Sequence, residues 1–402
     1  MRIPKVGPAF LVTAAFIGPG TVVTASMAGA NYGFSLLWAI LFSVLATLIL
    51  QEMTGRLGIV TQRGLGENLV QHLTNPIVKF VSVGLVVSAI VIGNAAYEGG
   101  NIAGASLGLN SFAQLKLGMI SLWPILIGLA AFLLLATGSY KIIETVLVVL
   151  VFLMSLAFIL TFLVSSPDLS QLFSGLFIPS LPDGATLTVI ALIGTTVVPY
   201  NLFLHASSVS KKWQSVENLS DARNDLLISV PLGGLITLAI VSTGATAFFG
   251  SAIELKSAAD IAPALQPVFG EHAEVLMAIG LFAAGISSSV TAPLAAAYAL
   301  SGVLEKNWQL TDKGFKAVWM VILILGVIPA AMSFKPVSII WFAQVANGIM
   351  LPLITGFLLY IMNSSSLDIY KNNRWQNALG LSVFVVTLIL SARSLSFAFG
   401  LL

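Results

Sequence analysis

Two short stretches break the pattern of apolar segments that are otherwise able to cross a membrane. They are Gly18-Pro19-Gly20-Thr21 and Thr195-Thr196-Val197-Val198-Pro199-Tyr200-Asn201. Proline and glycine interrupt helices, and an interrupted helix in hydrocarbon exposes backbone groups that each cost several kcal/mol when unpaired. Neither stretch contains a carboxylate or a sulfur atom. One such break in each half of the chain predicts a binding site near the bilayer midplane.

The composition is that of a polytopic membrane protein. Of the 402 residues, 57% are hydrophobic and 8% are charged, whereas an ordinary soluble domain is about 25% charged. The lack of cysteine excludes disulfides, thiolate metal ligands and thiol redox chemistry. No basic cluster indicates nucleic-acid binding, and no phosphate loop or catalytic constellation is present. We therefore expect neither an ATP-driven pump nor an enzyme.

Eleven segments are long and apolar enough to span a bilayer, which takes about 20 residues. They are approximately 8–30, 34–56, 77–106, 119–138, 141–164, 185–209, 224–250, 272–303, 315–334, 337–362 and 376–399. Short loops connect them, so we predict a single all-α transmembrane domain over residues 1–402 of a plasma or inner membrane. With the N-terminus in the cytoplasm, most of the 18 lysines and arginines fall on the cytoplasmic side. The C-terminus is then outside.

The two breaks indicate an internal repeat. Spans one to five, residues 1–164, align with spans six to ten, residues 185–362, when the breaks are superposed. Because five is an odd number, the second copy must be inverted in the membrane. This predicts an inverted 5+5 repeat with helices 1 and 6 broken, which is a transporter architecture. The last span, 376–399, is additional.

Further motifs follow each break. Asn31-Tyr32-Gly33 lies after the first break, Leu202-Phe203-Leu204-His205 after the second, Ala284-Gly285-Ile286 in span eight, and Gln344 with Pro352 in span ten. Over nearly its whole length the sequence resembles the NRAMP (natural resistance-associated macrophage protein) family of metal-ion transporters. The resemblance implies a LeuT-like fold and transport by alternating access, with Gln344 facing the site.

The departures from the family pattern lie at the metal site. The family has Asp-Pro-Gly-Asn at the first break, where this chain has Gly18 and Thr21 in the acidic and amide positions. The family has Ala-x-x-Met-Pro-His in the sixth helix, where this chain has Thr195, Val198 and Tyr200. The carboxylate, amide, thioether and histidine are all replaced, so we expect no site of the transition-metal type.

The groups that remain favour a small oxyanion. A half-helix N-terminus offers free N–H groups and partial positive charge, threonine and tyrosine add hydroxyls, and glycine allows close approach. We therefore predict secondary transport of an anion such as bicarbonate. The candidate substrate-binding residues are Gly18, Pro19, Gly20, Thr21, Thr195, Thr196, Val198, Tyr200, Asn201 and Gln344.

Two alternatives stay open. The family resemblance implies a divalent cation, Mg²⁺ or Mn²⁺, although one carboxylate about 3 Å from such an ion supplies on the order of 10 kcal/mol at an effective dielectric near 20, and the breaks contain none. The second alternative is a sensor that keeps the transporter scaffold without transporting. We expect a small inorganic ion as the substrate, lipid as the surroundings, and no obligate protein partner.

Uphill anion uptake requires an energy source. An inside-negative potential opposes it by about 2.3 kcal/mol per charge per 100 mV, so we expect co-transport of Na⁺ or H⁺ and no other cofactor. The candidates for that ion are Ser287, Ser288, Ser289, Glu98 and His205, with backbone carbonyls of residues 15–18. The serines resemble a hydroxyl pair of sodium-coupled transporters of this architecture. For each candidate, helix packing or internal hydrogen bonding is the alternative role.

Overall fold

Apolar helices make up most of the computed structural model, which describes residues 7–9, 13, 17–73, 75–137, 141–251, 258–306, 308–332 and 334–398. The helices are α1 (Pro19–Tyr32), α2 (Leu37–Thr61), α3 (Leu65–His72), α4 (Pro76–Asn110), α5 (Leu122–Thr137), α6 (Lys141–Val164), α7 (Leu169–Phe177), α8 (Thr186–Thr196), α9 (Pro199–Lys212), α10 (Leu219–Phe248), α11 (Ala258–Ile261), α12 (Gln266–Phe269), α13 (Ala273–Val303), α14 (Lys313–Ala331), α15 (Pro336–Met362) and α16 (Arg374–Ala398). An antiparallel hairpin, β1 (Lys116–Leu117) and β2 (Ile120–Ser121), precedes α5. Short 3₁₀ turns cover Val216–Asn218, Ala262–Leu265, Gly270–His272 and Ser365–Tyr370.

Within the described ranges, nine helical segments are long and apolar enough to cross a membrane. One of them, Thr186–Lys212, contains α8, the second break and α9. The shorter α5 and the 14-residue α1 lie at the fourth and first predicted spans. The helices thus occupy the positions of the eleven predicted segments in a multi-pass membrane protein. The first half of span one lies largely outside the described residues.

Glycine brings α1 into backbone contact with α10. A Cβ atom added to Gly29 would collide with the carbonyl oxygen of Val241 and lie 2.6 Å from the amide nitrogen of Ala245. Lipid tails are as apolar as the helix surfaces, so helix association in a bilayer depends on close packing of small residues rather than on exclusion of water. The helix that follows the first break is held in this way.

A second glycine contact joins α8 to α15. A Cβ at Gly194 would collide with the carbonyl oxygen of Gln344, and one at Gly348 would lie 2.5 Å from the carbonyl oxygen of Ile190. The half-helix before the second break therefore packs directly on the helix that carries Gln344.

An ion-pair cluster connects α2 with α10 and with the segment that precedes α16. The Arg56 guanidinium, 3% exposed, donates to Glu52 Oε2 at 3.0 Å, to Asn372 Oδ1 at 2.7 Å and to the Tyr370 carbonyl at 2.8 Å. Arg223, 45% exposed, donates to Glu52 Oε1 at 2.7 Å. A single carboxylate thus pairs with one buried and one accessible arginine.

We expect Arg56→Gln to destabilise the protein far more than Arg223→Gln does. Breaking a buried, hydrogen-bonded ion pair costs about 3–5 kcal/mol, whereas an exposed pair contributes about 0.2–1 kcal/mol. Thermal unfolding in detergent measures both variants. Equal losses of stability would contradict the assignment of Arg56 as the central residue of the cluster.

Gly29→Ala should also lower the unfolding temperature, because its new methyl group overlaps the α10 backbone. Overpacking of this kind costs about 1–3 kcal/mol. Gly84→Ala is the matched control, since nothing lies within 4 Å of a Cβ at that helical position. There the substitution should be neutral or stabilising by up to about 1 kcal/mol. The backbone contact would be refuted if the two variants melted alike.

Candidate functional site

The first break places a helix N-terminus inside the bundle. Gly18 has extended backbone angles (φ −106°, ψ −176°) and Pro19 is the first residue of α1. Proline is suited to that position because the first N–H groups of a helix have no intrahelical acceptor. The first turn closes where the Val22 N–H donates to the Gly18 carbonyl at 3.2 Å. Pro19 is covered by α4, where a Cβ at Gly104 would collide with its ring.

The second break is two residues long. α8 ends at Thr196, Val197 (φ −95°, ψ 71°) and Val198 (φ −80°, ψ 123°) leave the helix, and α9 begins at Pro199. The Asn201 N–H donates to the Val198 carbonyl at 3.0 Å and starts the new helix. The interruption therefore lies inside the predicted stretch from Thr195 to Asn201. A second helix N-terminus lies there, inside the bundle.

The threonines before this break are already hydrogen-bonded. The Thr195 hydroxyl donates to the Leu192 carbonyl at 2.7 Å, and its oxygen lies 3.4 Å from that of Thr196. Both residues are buried. In this conformation the hydroxyl proton of Thr195 is used within α8. The hydroxyl oxygen of Thr195 remains available only as a hydrogen-bond acceptor.

Gln344 lies where the two halves meet. Its side chain is 1% exposed, and its amide nitrogen fills the space into which a Cβ at Gly20 would project. Its backbone carbonyl faces Gly194 on α8. Among the described residues, Gln344 Oε1 has no hydrogen-bond partner. α15 thus supplies a buried amide between α1 and α8, with one polar atom left for a ligand.

A small cavity borders the second break. It measures about 10 Å³, and its polar lining comes from Asn94 on α4, Tyr200 on α9 and Asn347 on α15. The Asn347 Nδ2 atom has no partner within the part of the chain that the structure describes. The Tyr200 ring packs on Tyr97 with centroids 5.3 Å apart. A cavity of that size holds about one water molecule, so a polyatomic ion can enter only if these helices move apart.

Glu98 belongs to a separate buried cluster. It is fully buried on α4, and Asn101 Nδ2 lies 3.4 Å from its Oε2 atom. Ser289 is fully buried on α13, which packs on α4 so closely that a Cβ at Gly285 would lie 2.6 Å from the Asn101 carbonyl oxygen, and neither Ser289 Oγ nor Glu98 Oε1 has a hydrogen-bond partner among the described residues. Ser288 is 4% exposed, whereas Ser287 is partly exposed. The predicted coupling residues Glu98 and Ser289 therefore lie on two helices in backbone contact, and each has a polar atom without a hydrogen-bond partner among the described residues.

His205 lies away from both breaks. It is fully buried on α9, and its Nδ1 atom is 3.2 Å from the Thr54 hydroxyl on α2. A Cβ at Gly55 would lie 3.1 Å from the imidazole. Of the backbone carbonyls proposed for a sodium site, those of Ala15 and Phe16 lie outside the described residues.

The described side chains do not form a metal centre of ionisable ligands. No group of three or more histidine, aspartate or glutamate residues among them is placed to hold a metal ion. What surrounds the breaks is amide, hydroxyl and backbone. Sequence reasoning did not select Asn94 and Tyr97, although both fall in the polar run 94–101 within an apolar span. Their polarity inside a membrane helix is the signal that identifies them.

A family comparison covers nearly the whole chain. The sequence model described as "Natural resistance-associated macrophage protein-like" matches residues 9–396. The chain belongs to the Nramp family. Two relatives, both named "Divalent metal cation transporter MntH", come from strains of Klebsiella pneumoniae. They are 27% and 28% identical to this Nramp protein over 402 residues, covering 97% of it and 93% of each relative.

Solved structures share the fold. A manganese transporter of Eremococcus coleocola, in complex with an aromatic bis-isothiourea substituted compound, has a TM-score of 0.77 at 22% identity and covers 97% of this chain and 86% of its own. The inward-facing conformation of Mhp1 has a TM-score of 0.56 at 14% identity and covers 99% of this chain and 92% of its own. The predicted LeuT-like fold and Nramp family are thereby confirmed.

The comparisons also bear on function. The relatives are transporters rather than enzymes, and this chain is a secondary transporter of the Nramp family. Their names refer to divalent metal cations and to manganese. They therefore support the divalent-cation alternative better than the bicarbonate prediction, for which they offer no support.

The contact between Gly20 and Gln344 leads to a further prediction. Gly20→Ala should lower the unfolding temperature by displacing the Gln344 amide, and the double variant Gly20→Ala/Gln344→Ala should recover part of that loss. Contacting residues couple by about 0.5–3 kcal/mol in such a cycle. Gly99→Ala is the control, since its nearest contact would be an ordinary 3.5 Å. Strict additivity would show that Gln344 does not lie against Gly20.

Proposed function

We propose that this Nramp-family protein is a secondary transporter that carries a small inorganic anion of bicarbonate size through the two breaks. The observation that carries the proposal is the pairing of two helix N-termini inside the bundle, at the buried Pro19 and the partly buried Pro199, with no acidic residue in either break. Each N-terminus acts as roughly half a positive charge. An anion is stabilised there without any fixed countercharge.

The polar side chains near the breaks suit the same substrate. The amide groups of Asn201, Gln344 and Asn347 are each about 1% exposed. Each has an atom with no hydrogen-bond partner among the described residues. Leaving such a group unpaired in a buried site costs about 1–3 kcal/mol. A bicarbonate ion would accept hydrogen bonds from Asn201 Nδ2 and Asn347 Nδ2, and its single O–H would donate to one of the two acceptors, Asn201 Oδ1 or Gln344 Oε1.

A divalent cation is the second candidate, and the relatives favour it. Two proteins named as divalent metal cation transporters match 97% of this chain. For such an ion the breaks offer backbone carbonyls at the end of α8 and the Gln344 amide oxygen. Those are hard ligands, and Mg²⁺ retains several of its waters when it binds protein. Carbonyl and water ligands suit both Mg²⁺ and Mn²⁺, and the breaks contain no thioether or imidazole that would select a transition metal over Mg²⁺.

Coupling to a cation would drive the anion inward. The Glu98 carboxyl and the Ser289 hydroxyl are each fully buried, on the packed helices α4 and α13, and intramembrane ionisable residues generally mark ion or proton pathways. We assign Na⁺ or H⁺ binding to this cluster, with Ser287 and Ser288 beside it and His205 as a separate proton carrier. The protein would lie in the plasma or inner membrane with its N-terminus in the cytoplasm, following the distribution of lysine and arginine.

Flux measurements in proteoliposomes separate the two candidates. Bicarbonate uptake is followed with labelled carbon and internal pH, with and without a sodium gradient, and Mn²⁺ and Mg²⁺ uptake is measured in parallel. We expect saturable bicarbonate uptake. Saturable Mg²⁺ or Mn²⁺ uptake without anion flux would overturn the anion proposal and establish the second candidate.

Thr21→Asp tests where the substrate binds. A carboxylate at the N-terminus of α1 should repel an anion and lower bicarbonate uptake by at least tenfold, because 1.4 kcal/mol is a factor of ten in binding and one charge at close range exceeds that value. Thr21→Asn has nearly the same shape without the charge and should retain more uptake. Equal uptake by the two variants would place the substrate elsewhere.

A further inference from the structure

An apolar groove of about 710 Å³ runs along the bundle surface between α15 and α16. Pro352, Gly356 and Phe357 line it from α15, and Phe384, Leu388 and Leu395 line it from α16. Leu388 and Leu395 are 46% and 41% exposed. At its deep end the two helices meet, where the Ser391 hydroxyl donates to the Thr387 carbonyl of its own helix at 2.7 Å and lies 3.3 Å from the Gly348 carbonyl oxygen of α15. The groove is open to the surface that membrane lipid covers.

The length of the groove matches one leaflet of a bilayer. Its lining on α15 extends from Ile349 to Tyr360, which at 1.5 Å per residue is about 16 Å. Half of a hydrocarbon core of about 30 Å is about 15 Å. A single acyl chain that enters from the interface would fill the groove and end near the bilayer midplane.

A polar cavity of about 520 Å³ continues from the shallow end of the groove. Tyr360 lines both, and the adjacent residues His72 and Leu73 line the polar and the apolar part respectively. Asn363, Ser364 and Ser365 complete the polar lining, which includes no acidic residue. The His72 imidazole is held 2.6 Å from the Asn68 carbonyl and 2.6 Å from the Ser366 hydroxyl. Tyrosine is typical of the membrane–water interface.

We propose that the groove and the polar cavity together form a binding site for one phospholipid. An acyl chain lies between α15 and α16, and the phosphodiester accepts hydrogen bonds from the Ser364 and Ser365 hydroxyls, since the Asn363 amide already donates to the Leu359 carbonyl and to Asn377 Oδ1. The apolar and polar parts meet at Tyr360. The polar part lies at the interface end and the apolar part extends toward the bilayer midplane, as the headgroup and acyl chain of a lipid in one leaflet do. The bound chain packs against α15, the helix that carries Gln344, and the site is independent of the transported ion.

Native mass spectrometry of the purified, delipidated protein tests the proposal, with dioleoyl phosphatidylglycerol as the probe. Ala392 is exposed and lines the groove, so Ala392→Trp should fill the groove and reduce the fraction of protein with one bound lipid at least fivefold. Ala130→Trp makes the same change at an exposed position of α5, outside the groove. It should bind lipid like the unaltered chain. Equal retention by the two variants would overturn the proposal.

The polar end is tested separately at Ser365, which is exposed and therefore tolerant of substitution. Ser365→Asp should weaken phosphatidylglycerol binding several-fold through repulsion of the phosphate, while Ser365→Ala, which removes one donor and adds no charge, should weaken it less. Dioleoylglycerol, which lacks the phosphate, should bind more weakly than the phospholipid. If the aspartate variant and dioleoylglycerol both leave binding unchanged, the groove holds any apolar chain and the phospholipid assignment is wrong. Unfolding temperatures confirm that each variant is folded.

Discussion

Backbone hydrogen bonding inside hydrocarbon is the constraint on which the centre of this protein depends. A helix interrupted within the bilayer exposes N–H and C=O groups that lipid is unable to satisfy. Both interruptions here are followed by proline, at Pro19 and Pro199, which removes one donor and begins the next helix. The remaining backbone groups are enclosed by neighbouring helices, since Gly18 and Val198 are buried. The breaks therefore have to be surrounded by other helices, which keep the polar backbone groups of the breaks away from lipid.

Glycine residues allow the surrounding helices to approach the broken helices closely. α1 rests on the α10 backbone at Gly29, α8 rests on the α15 backbone at Gly194, and the Gln344 amide fits against Gly20. Each contact removes space that a side chain would otherwise occupy, and each joins a broken helix to an unbroken one. Helices α4, α9 and α15 are also close together beside the second break, where the cavity next to Tyr200 has a volume of about 10 Å³ in this conformation. An ion larger than a water molecule would therefore enter that cavity only after these helices had moved apart.

The likeness to metal transporters and the chemistry of the breaks point to different substrates. Family membership, shared over residues 9–396, concerns the scaffold. The ion ligands come from only a few positions. Of these, Gly18 carries no charge and Val198 carries no sulfur. A scaffold of this kind presents helix N-termini and backbone carbonyls, which attract anions and cations respectively. The side chains at the breaks then decide whether the bound ion is an anion or a cation. Selectivity is therefore a property of a few residues that whole-chain similarity does not resolve.

The sequence alone determined the membrane class, the approximate positions of the spans, both breaks and the Nramp resemblance, because apolar length and helix-breaking residues act locally. It also identified Gln344 through that resemblance. Only the tertiary structure decided that Gln344 lies against Gly20 and Gly194, that the helix of Glu98 packs on the helix of Ser289, and that Tyr97 and Asn94 border the second break. These pairs are separated by long stretches of chain, and their contacts depend on helix rotation and crossing, which apolar patterning leaves undetermined when helices are hydrophobic on all sides. The groove between α15 and α16 has the same origin, since it exists only in the space between two packed helices.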